Sequence, residues 1–133
     1  MSTDDTPRIA SSSRTLAGKV DRVKPNTSVR ATALDLDPQP VAPDQTVSGQ
    51  PRTGVHALTE FGGLEIGVWE MTPGVMSDVE ADEVFVVLSG SATVEFADEA
   101  ETLYVQAGDV VRLAAGAKTV WTVTETLRKV YFT

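Results

Sequence analysis

Along the second half of the chain, short apolar runs are separated by turns that contain glycine or proline. Within several runs, apolar and polar positions alternate, which is the period of a strand with one buried face. The runs are rich in β-branched and aromatic residues, which favour strands over helices. The pattern predicts strands at 55–61, 64–71, 84–88, 92–96, 102–105, 110–113, 118–123 and 127–132. Many short strands with regularly spaced turns indicate an all-β sandwich or barrel.

Glycines mark two predicted hairpin turns. Ser89-Gly90-Ser91 separates strands 84–88 and 92–96, and glycine takes positive φ in such a turn without strain. Gly62-Gly63 separates the first two strands. No Gly-Lys-Ser/Thr follows that pair, so we interpret it as a hairpin turn and not as a phosphate-binding loop.

The first part of the chain lacks this regular pattern. Residues 1–28 are rich in Ser, Thr, Asp and Arg and keep no period, so we expect a flexible leader. Residues 29–34 alternate briefly and predict an edge strand, and the four prolines between residues 35 and 51 predict an irregular arm. The expected organisation is a leader over 1–28, an edge strand and proline-rich arm over 29–53, and a barrel over 54–133.

Composition narrows the class of protein. A chain of 133 residues that is 41% hydrophobic is expected to form one domain with a core. It has no cysteine, which excludes disulfides, cysteine-ligated metals and thiol nucleophiles. No apolar run approaches the ~20 residues of a membrane helix. The N-terminal residues also lack the apolar segment that a secretory signal peptide would have. We therefore expect a soluble cytoplasmic protein with no membrane partner.

Charge argues against nucleic acid as a partner. The formal net charge is -8, with six Lys and Arg against three acids in residues 1–30 and five against sixteen in residues 31–133. An acidic barrel is a poor match for nucleic acid, whose affinity comes mainly from neutralised phosphates. We interpret the basic leader as a solvated segment, with contact to an acidic partner or to the barrel itself as alternatives.

Two motifs resemble those of the cupin superfamily. They are Gly74…Glu83-x6-Gly90 and Gly108-Asp109-x4-Ala114-Ala115-Gly116, in which Ala114 stands where the family usually has proline. Residues 67–74, 82–85 and 121–131 further resemble small single-domain cupins related to ureidoglycine aminohydrolase, and the similarity covers roughly residues 45–133. The resemblance implies a cupin jelly-roll β-barrel and a homodimer.

The metal ligands of the family are missing. Cupins that bind a metal typically use two histidines before the glutamate and one after the second motif. The aligned positions hold Met76 and Asp78, or Ser77 and Val79, and then Thr119. Iron, nickel, copper and zinc usually want imidazole nitrogen. We therefore expect neither a transition metal nor another cofactor, and we interpret the single histidine, His56, as a strand residue outside any site.

Glu83 is the main candidate for chemistry. If its side chain points inward among Trp69, Phe85 and Val87, loss of hydration raises the pKa of the carboxyl and makes it a possible general acid or base. The alternative is a carboxylate at the start of a strand that binds backbone or a cation such as Lys129. Glu83 also belongs to an acidic cluster with Asp78, Glu80 and Asp82, which is interpreted as a solvated turn, with a hard-cation site as the alternative.

Aromatic residues define the rest of the candidate site. Trp69 and Trp121 are the only tryptophans, and together they offer a flat surface for a planar or sugar-like ligand, with core or dimer packing as the alternative. The predicted ligand-binding residues are Trp69, Glu83, Phe85, Thr119, Trp121 and Tyr131. Three functions remain open. They are a metal-free small-molecule-binding cupin, a transition-metal-independent isomerase, lyase or hydrolase that uses Glu83, and a structural or interaction subunit with a closed barrel.

Overall fold

The computed structural model describes residues 22–98 and 101–133, so most of the predicted leader lies outside the described residues. Strands dominate them, and the prediction of an all-β fold is confirmed. In chain order the strands are β1 Gln39–Pro40, β2 Thr46–Ser48, β3 Arg52–Phe61, β4 Leu64–Met71, β5 Gly74–Val79, β6 Glu83–Phe96, β7 Leu103–Gln106, β8 Val110–Leu113 and β9 Lys118–Phe132.

Two long strands, β6 and β9, organise the fold. They pair with each other along most of their length and with different neighbours at their two ends. Near its start β6 pairs with β8, and the end of β9 pairs with β4, which continues to β3 and β1. Further along, β6 pairs with β7, and the start of β9 pairs with β5 and then β2. The sheet therefore curls into a jelly roll with two facing layers.

The predicted hairpin at Ser89-Gly90-Ser91 is wrong. Residues 83–96 form one strand, and the register between β6 and β9 shifts three times between Val87 and Ala92. Gly90 has φ 81°, and an added Cβ would overlap the carbonyl oxygen of Thr126. The glycine permits a bend in two strands that remain paired. Similarly, the two predicted strands 118–123 and 127–132 are continuous in β9.

The predicted edge strand over 29–34 is also wrong. Residues Ala31–Ala33 form a 3-10 turn. The turn lets Val29, Ala31 and Leu34 pack on the same apolar patch, whereas an extended strand would point Leu34 to the opposite side. Two short strands, β1 and β2, lie instead in the arm that the prolines predicted to be irregular.

Two apolar clusters hold the molecule together. The larger fills the space between the layers and contains Trp69, Phe85, Trp121, Leu127 and Tyr131 among its buried members. The smaller lies on the outer face of β3, β4 and β9, where Leu58, Val68 and Val130 are covered by residues 22–36. We call residues 22–36 the strap. Between residues 22 and 133, apart from the undescribed pair at 99–100, no helix has the length and apolarity needed to span a membrane.

Candidate functional site

A lysine and a glutamate face each other in the interior of the barrel. Glu83 is the first residue of β6, and Lys129 lies in β9 opposite Trp69 of β4. The Nζ atom of Lys129 donates to Oε2 of Glu83 at 2.8 Å, and both side chains are 0% exposed. A charge-assisted hydrogen bond of this length is among the stronger kinds in proteins. The predicted inward position of Glu83 and the predicted alternative of a Lys129 partner are thus both present.

Three aromatic rings surround the ammonium group. The Nζ atom lies 4.0 Å from the ring centroid of Phe85, 4.6 Å from that of Trp69 and 4.7 Å from that of Trp121. The centroids of Trp69 and Trp121 are 5.6 Å apart, and those of Phe85 and Trp121 are 5.8 Å apart. Ring faces attract cations, and more strongly where water is excluded. We call these three rings the aromatic cage.

Glu80 closes one side of the site. Its Oε2 atom accepts hydrogen bonds from the Thr119 hydroxyl at 2.7 Å and from the Trp121 indole N–H at 2.9 Å. Glu80 is buried, as are Thr119 and Trp121. The glutamate therefore fixes one ring of the aromatic cage from outside the cage.

Two loops cross between the layers at this end of the barrel. The Glu80 N–H donates to the Ala117 carbonyl and the Gly116 N–H donates to the Glu80 carbonyl, both at 2.8 Å. In the same loops, Oδ1 of Asp82 accepts from the Ala115 N–H at 3.0 Å and from Arg112. The hydrogen bond from Ala115, together with the contacts with Arg112, lowers the pKa of Asp82 and outweighs the opposite effect of lost hydration. Segments 80–82 and 114–117 thus form a closed mouth.

A tyrosine and a third glutamate lie at the edge of the interior. The Tyr131 hydroxyl donates to Oε2 of Glu65 at 2.7 Å. Gly67 leaves room for this contact, because a Cβ there would overlap the tyrosine hydroxyl. Partial burial, which outweighs the Tyr131 hydrogen bond, raises the pKa of Glu65.

All six predicted site residues point into the interior, but they do not form one open surface. Glu83, Trp69, Phe85 and Trp121 meet around Lys129, whereas Thr119 binds Glu80 and Tyr131 binds Glu65. Each of the six is at most 2% exposed. Trp69 and Trp121 are buried and their ring planes are tilted by 58°, so the core-packing alternative describes their surroundings better than a flat exposed surface does.

Sequence reasoning underrated two residues of the site. Lys129 lies between Leu127 and Tyr131 on the inward side of β9, so the alternation itself indicated a buried position. Glu80 was assigned to a solvated acidic turn, which is wrong, because Glu80 and Glu83 are both buried. Of the other two acids, Asp82 binds Ala115 and Arg112, while Oδ1 of Asp78 accepts from the Val79 N–H.

The residues present do not fit a transition metal. Glu83, the glutamate of the first motif, binds the Lys129 ammonium, and none of the aligned histidine positions holds an imidazole. Among residues 22–98 and 101–133, no three His, Cys, Asp or Glu side chains group closely enough to hold an ion. A fixed cation of the chain itself thus neutralises the carboxylate.

An open groove lies outside the closed interior. It has a volume of about 670 Å³ and runs across the ends of β5, β6 and β9 beside the loop before β2. Its lining combines Phe96, Val79 and Val120 with charged residues, including Asp44, Glu95 and Lys118. Thr119 is the one predicted ligand-binding residue among the groove's lining residues in the described part of the chain.

Three solved structures illustrate what this chain is similar to. A DUF861-family protein of unknown function from Pseudomonas syringae pv. tomato str. DC3000 is 30% identical over 80% of this chain, with a TM-score of 0.63. The EutQ protein of Clostridium difficile is 15% identical, with a TM-score of 0.63 and coverage of 86% of this chain and 94% of that one. A putative ethanolamine utilization protein Q from Salmonella typhimurium LT2 is 18% identical, with a TM-score of 0.54 and coverage of 74% and 95%.

The extent of these matches limits what they say. The match covers 46% of the Pseudomonas protein, so this chain spans about half of its length. The two EutQ structures are similar in fold alone. Among curated proteins, none is similar enough to count as a match. The family described as the EutQ-like cupin domain matches residues 58–131, which is more than half of the chain. The cupin prediction is therefore confirmed, and the chain belongs to the family of EutQ-like cupin domains.

Proposed function

We propose that this cupin domain binds a small polar or planar molecule in its interior without a transition metal. The buried Lys129–Glu83 pair inside the aromatic cage carries the proposal. A buried ion pair is often no more stabilising than apolar side chains of the same volume. Ionisable groups in such unusual surroundings occur frequently at functional sites.

The chemistry of the pair indicates the class of ligand. A carboxylate or carbonyl oxygen of the ligand would bind the Lys129 ammonium, and a hydroxyl or amine would bind Glu83. A planar ligand would stack on Trp69 or Trp121. The ligand would enter through segments 80–82 and 114–117, because Glu83 and Lys129 are 0% exposed while these loops are closed.

An enzyme built on the same residues is a variant of this proposal. Glu83 would act as general acid or base in an isomerase, lyase or hydrolase, and it would exchange its proton with Lys129, which lies at hydrogen-bond distance. The predicted relation to ureidoglycine aminohydrolase-like cupins belongs to this variant and stays a prediction, as does the cytoplasmic location.

A closed structural or interaction subunit is the second candidate. It is favoured by the complete burial of the Lys129–Glu83 pair and of the rings around it. The partner would be a second copy that docks on the outer face of β5, β6 and β9. The centre of that face carries half-buried neutral side chains, namely Ser77, Thr93, Val120 and Thr122. Interface centres are typically depleted in charge.

A thermal-shift screen of the full chain tests the first candidate. We expect a small acid, amine or sugar to raise the melting temperature, since a ligand at 100 times its Kd stabilises the folded state by about 2.7 kcal/mol. Glu83→Gln should weaken that ligand, and a matched control, Thr122→Val on the outer face, should not. In the enzyme variant, Glu83→Gln abolishes turnover while part of the affinity remains.

Three results would contradict the proposal. Stoichiometric manganese, iron, nickel or zinc in the purified protein would refute the metal-free part. If a ligand binds equally well to wild type and to Glu83→Gln, its site does not include the Lys129–Glu83 pair. If no compound stabilises the protein and Val120→Lys converts a dimer to a monomer in sedimentation, the second candidate replaces the first.

A further inference from the structure

We propose that the aromatic cage and Glu83 form a receptor for a primary alkylammonium ion, and that the native occupant of this receptor is the chain's own Lys129. The inference is independent of whether the native protein binds a small molecule. It predicts that truncation of Lys129 opens a cavity that selects an alkylammonium ion from solution.

The surroundings of Nζ are those of a cation-binding site. Ring faces of Phe85, Trp69 and Trp121 lie within 4.0–4.7 Å of the nitrogen, and the Glu83 carboxylate contacts it at 2.8 Å. Aromatic rings with a carboxylate are the usual way in which proteins recognise organic ammonium ions. A neutral side chain of the same length would pack against the rings equally well but would leave the carboxylate without the ammonium.

Contacts that do not involve the Lys129 side chain hold Trp121, Glu83 and Phe85 in place. Glu80 binds the indole N–H of Trp121 at 2.9 Å, and the backbone of Trp121 pairs with Met76 of β5 and Val94 of β6. Glu83 and Phe85 belong to β6 and pair with Leu113 and Val111 of β8. We therefore expect the aromatic cage to persist when the lysine side chain is removed.

The donor set favours an organic ammonium ion over a metal ion. The receptor offers ring faces and one carboxylate, whereas Mg²⁺ and Ca²⁺ need six or more oxygens and Zn²⁺ usually binds imidazole or thiolate. The atoms that Lys129→Ala removes are those of n-propylammonium. This ion should restore both the ion pair and the packing.

Rescue of Lys129→Ala tests the inference. We expect the variant to melt well below wild type and to recover with n-propylammonium. The Kd of n-propylammonium for Lys129→Ala should be at least about tenfold lower than the Kd of 1-propanol, a neutral molecule of similar size, at matched ionic strength. In the double variant Glu83→Gln/Lys129→Ala, the two compounds should bind with similar Kd, because the anion is absent.

Several results would overturn the inference. They are equal rescue by propanol, preferential rescue of Lys129→Ala by Mg²⁺ or Zn²⁺, and an unchanged preference for propylammonium in the double variant. If Lys129→Ala does not fold, Lys129→Met provides the test because it preserves the volume. Its stability should rise as pH falls and Glu83 takes up a proton, and Glu83→Gln/Lys129→Met should lack that rise. A Lys129→Met variant as stable as wild type at pH 7, with no dependence on pH beyond that of wild type, would contradict the receptor.

Discussion

Carboxylates that look alike in the sequence have very different surroundings near the mouth of the barrel. Glu65 is half-buried and accepts from the Tyr131 hydroxyl, and burial raises its pKa. Asp82 is on the surface, and the Ala115 N–H lowers its pKa. Because the two shifts have opposite signs, the two residues should influence stability in opposite directions as the pH changes.

For Glu65, stability should fall as the pH rises. Its folded-state pKa lies above the unfolded value of 4.5, so the folded protein holds the proton more tightly in that window. The favourable contribution is present below pH 4.5 and is lost as pH rises through the folded pKa. We expect Glu65→Gln to gain stability relative to wild type from pH 4 to pH 7, measured by urea unfolding at each pH.

Asp82→Asn provides the matched comparison. The folded-state pKa of Asp82 lies below 3.8, so its contribution is present above that value and is lost as the pH falls through the folded pKa. Asp82→Asn should therefore be less stable than wild type at pH 7, and the difference should shrink as the pH falls below 3.8. If both variants change with pH in the same direction, the assigned surroundings of at least one carboxylate are wrong.

Residue pattern predicted some of the site and not the rest. Glu83 was predicted because it precedes an apolar run, and Lys129 was named only as its possible partner, although the alternation of Leu127, Lys129 and Tyr131 carried the signal of a buried lysine. The role of Glu80 was not predictable in this way, because it lies in a connecting loop where no period applies. Its burial depends on Thr119 and Trp121, which are about 40 residues away in the chain.

At the scale of elements, two crossing loops are hydrogen-bonded to each other at one end of the barrel. Segments 80–82 and 114–117 are joined by two backbone hydrogen bonds, and the side chain of Glu80 is fixed beneath them. Loops joined by few contacts open locally more often than core strands do. The stability of this closed mouth should therefore depend on Glu80.

Glu80→Ala should loosen the mouth. The change removes the acceptor of the Thr119 hydroxyl, and a buried donor left without its acceptor costs about 1–3 kcal/mol. The Trp121 indole N–H also loses Glu80 but keeps the Thr119 hydroxyl oxygen at 3.1 Å. Compared with wild type, we expect faster hydrogen exchange at the amides of residues 80 and 116 and a lower free energy of unfolding. Glu80→Gln keeps an acceptor oxygen and should have a smaller effect.

An exposed acid on β6 is the control for this change. Glu95→Ala removes an exposed carboxylate near the end of β6. It should leave hydrogen exchange at the Gly116 amide unchanged. If the Gly116 amide exchanges at the same rate in Glu80→Ala and Glu95→Ala, then Glu80 does not stabilise the contact between segments 80–82 and 114–117.

The elements themselves were predicted well in kind and poorly in length. Period and composition identified the strands from residue 55 onward except β5, because those signals are local. Residues 74–79 were interpreted as a turn and an acidic patch, but they form a strand that pairs with β9. Period and composition also did not reveal that β6 and β9 continue through their bends. That continuity depends on the register shifts near Gly90 and on the partner strand, neither of which is visible in a local window.

At the scale of the whole molecule, the strap joins the N-terminal part of the chain to the outer face of the barrel. Leu36 and its apolar neighbours cover Leu58 and Val68, and the Val23 N–H donates to the Leu58 carbonyl at 3.0 Å. Arg128 adds a polar anchor. Its Nη1 donates to the Ala31 carbonyl at 2.8 Å, while Nε and Nη2 donate to Glu70 at 3.1 and 2.6 Å.

Arg128→Ala should detach the strap more readily than it unfolds the barrel. The Arg128–Glu70 pair is 12% exposed at both side chains, so its loss should cost roughly 2–3 kcal/mol, in the range for hydrogen bonds to charged groups. Hydrogen exchange at the Val23 amide should accelerate, while amides of β6 and β9 in the core keep most of their protection. The control is Arg112→Ala, because its pair with Asp82 is 61% and 68% exposed and should contribute much less to stability. Equal losses of stability in the two variants, or unchanged protection of Val23 in Arg128→Ala, would mean that apolar packing alone holds the strap.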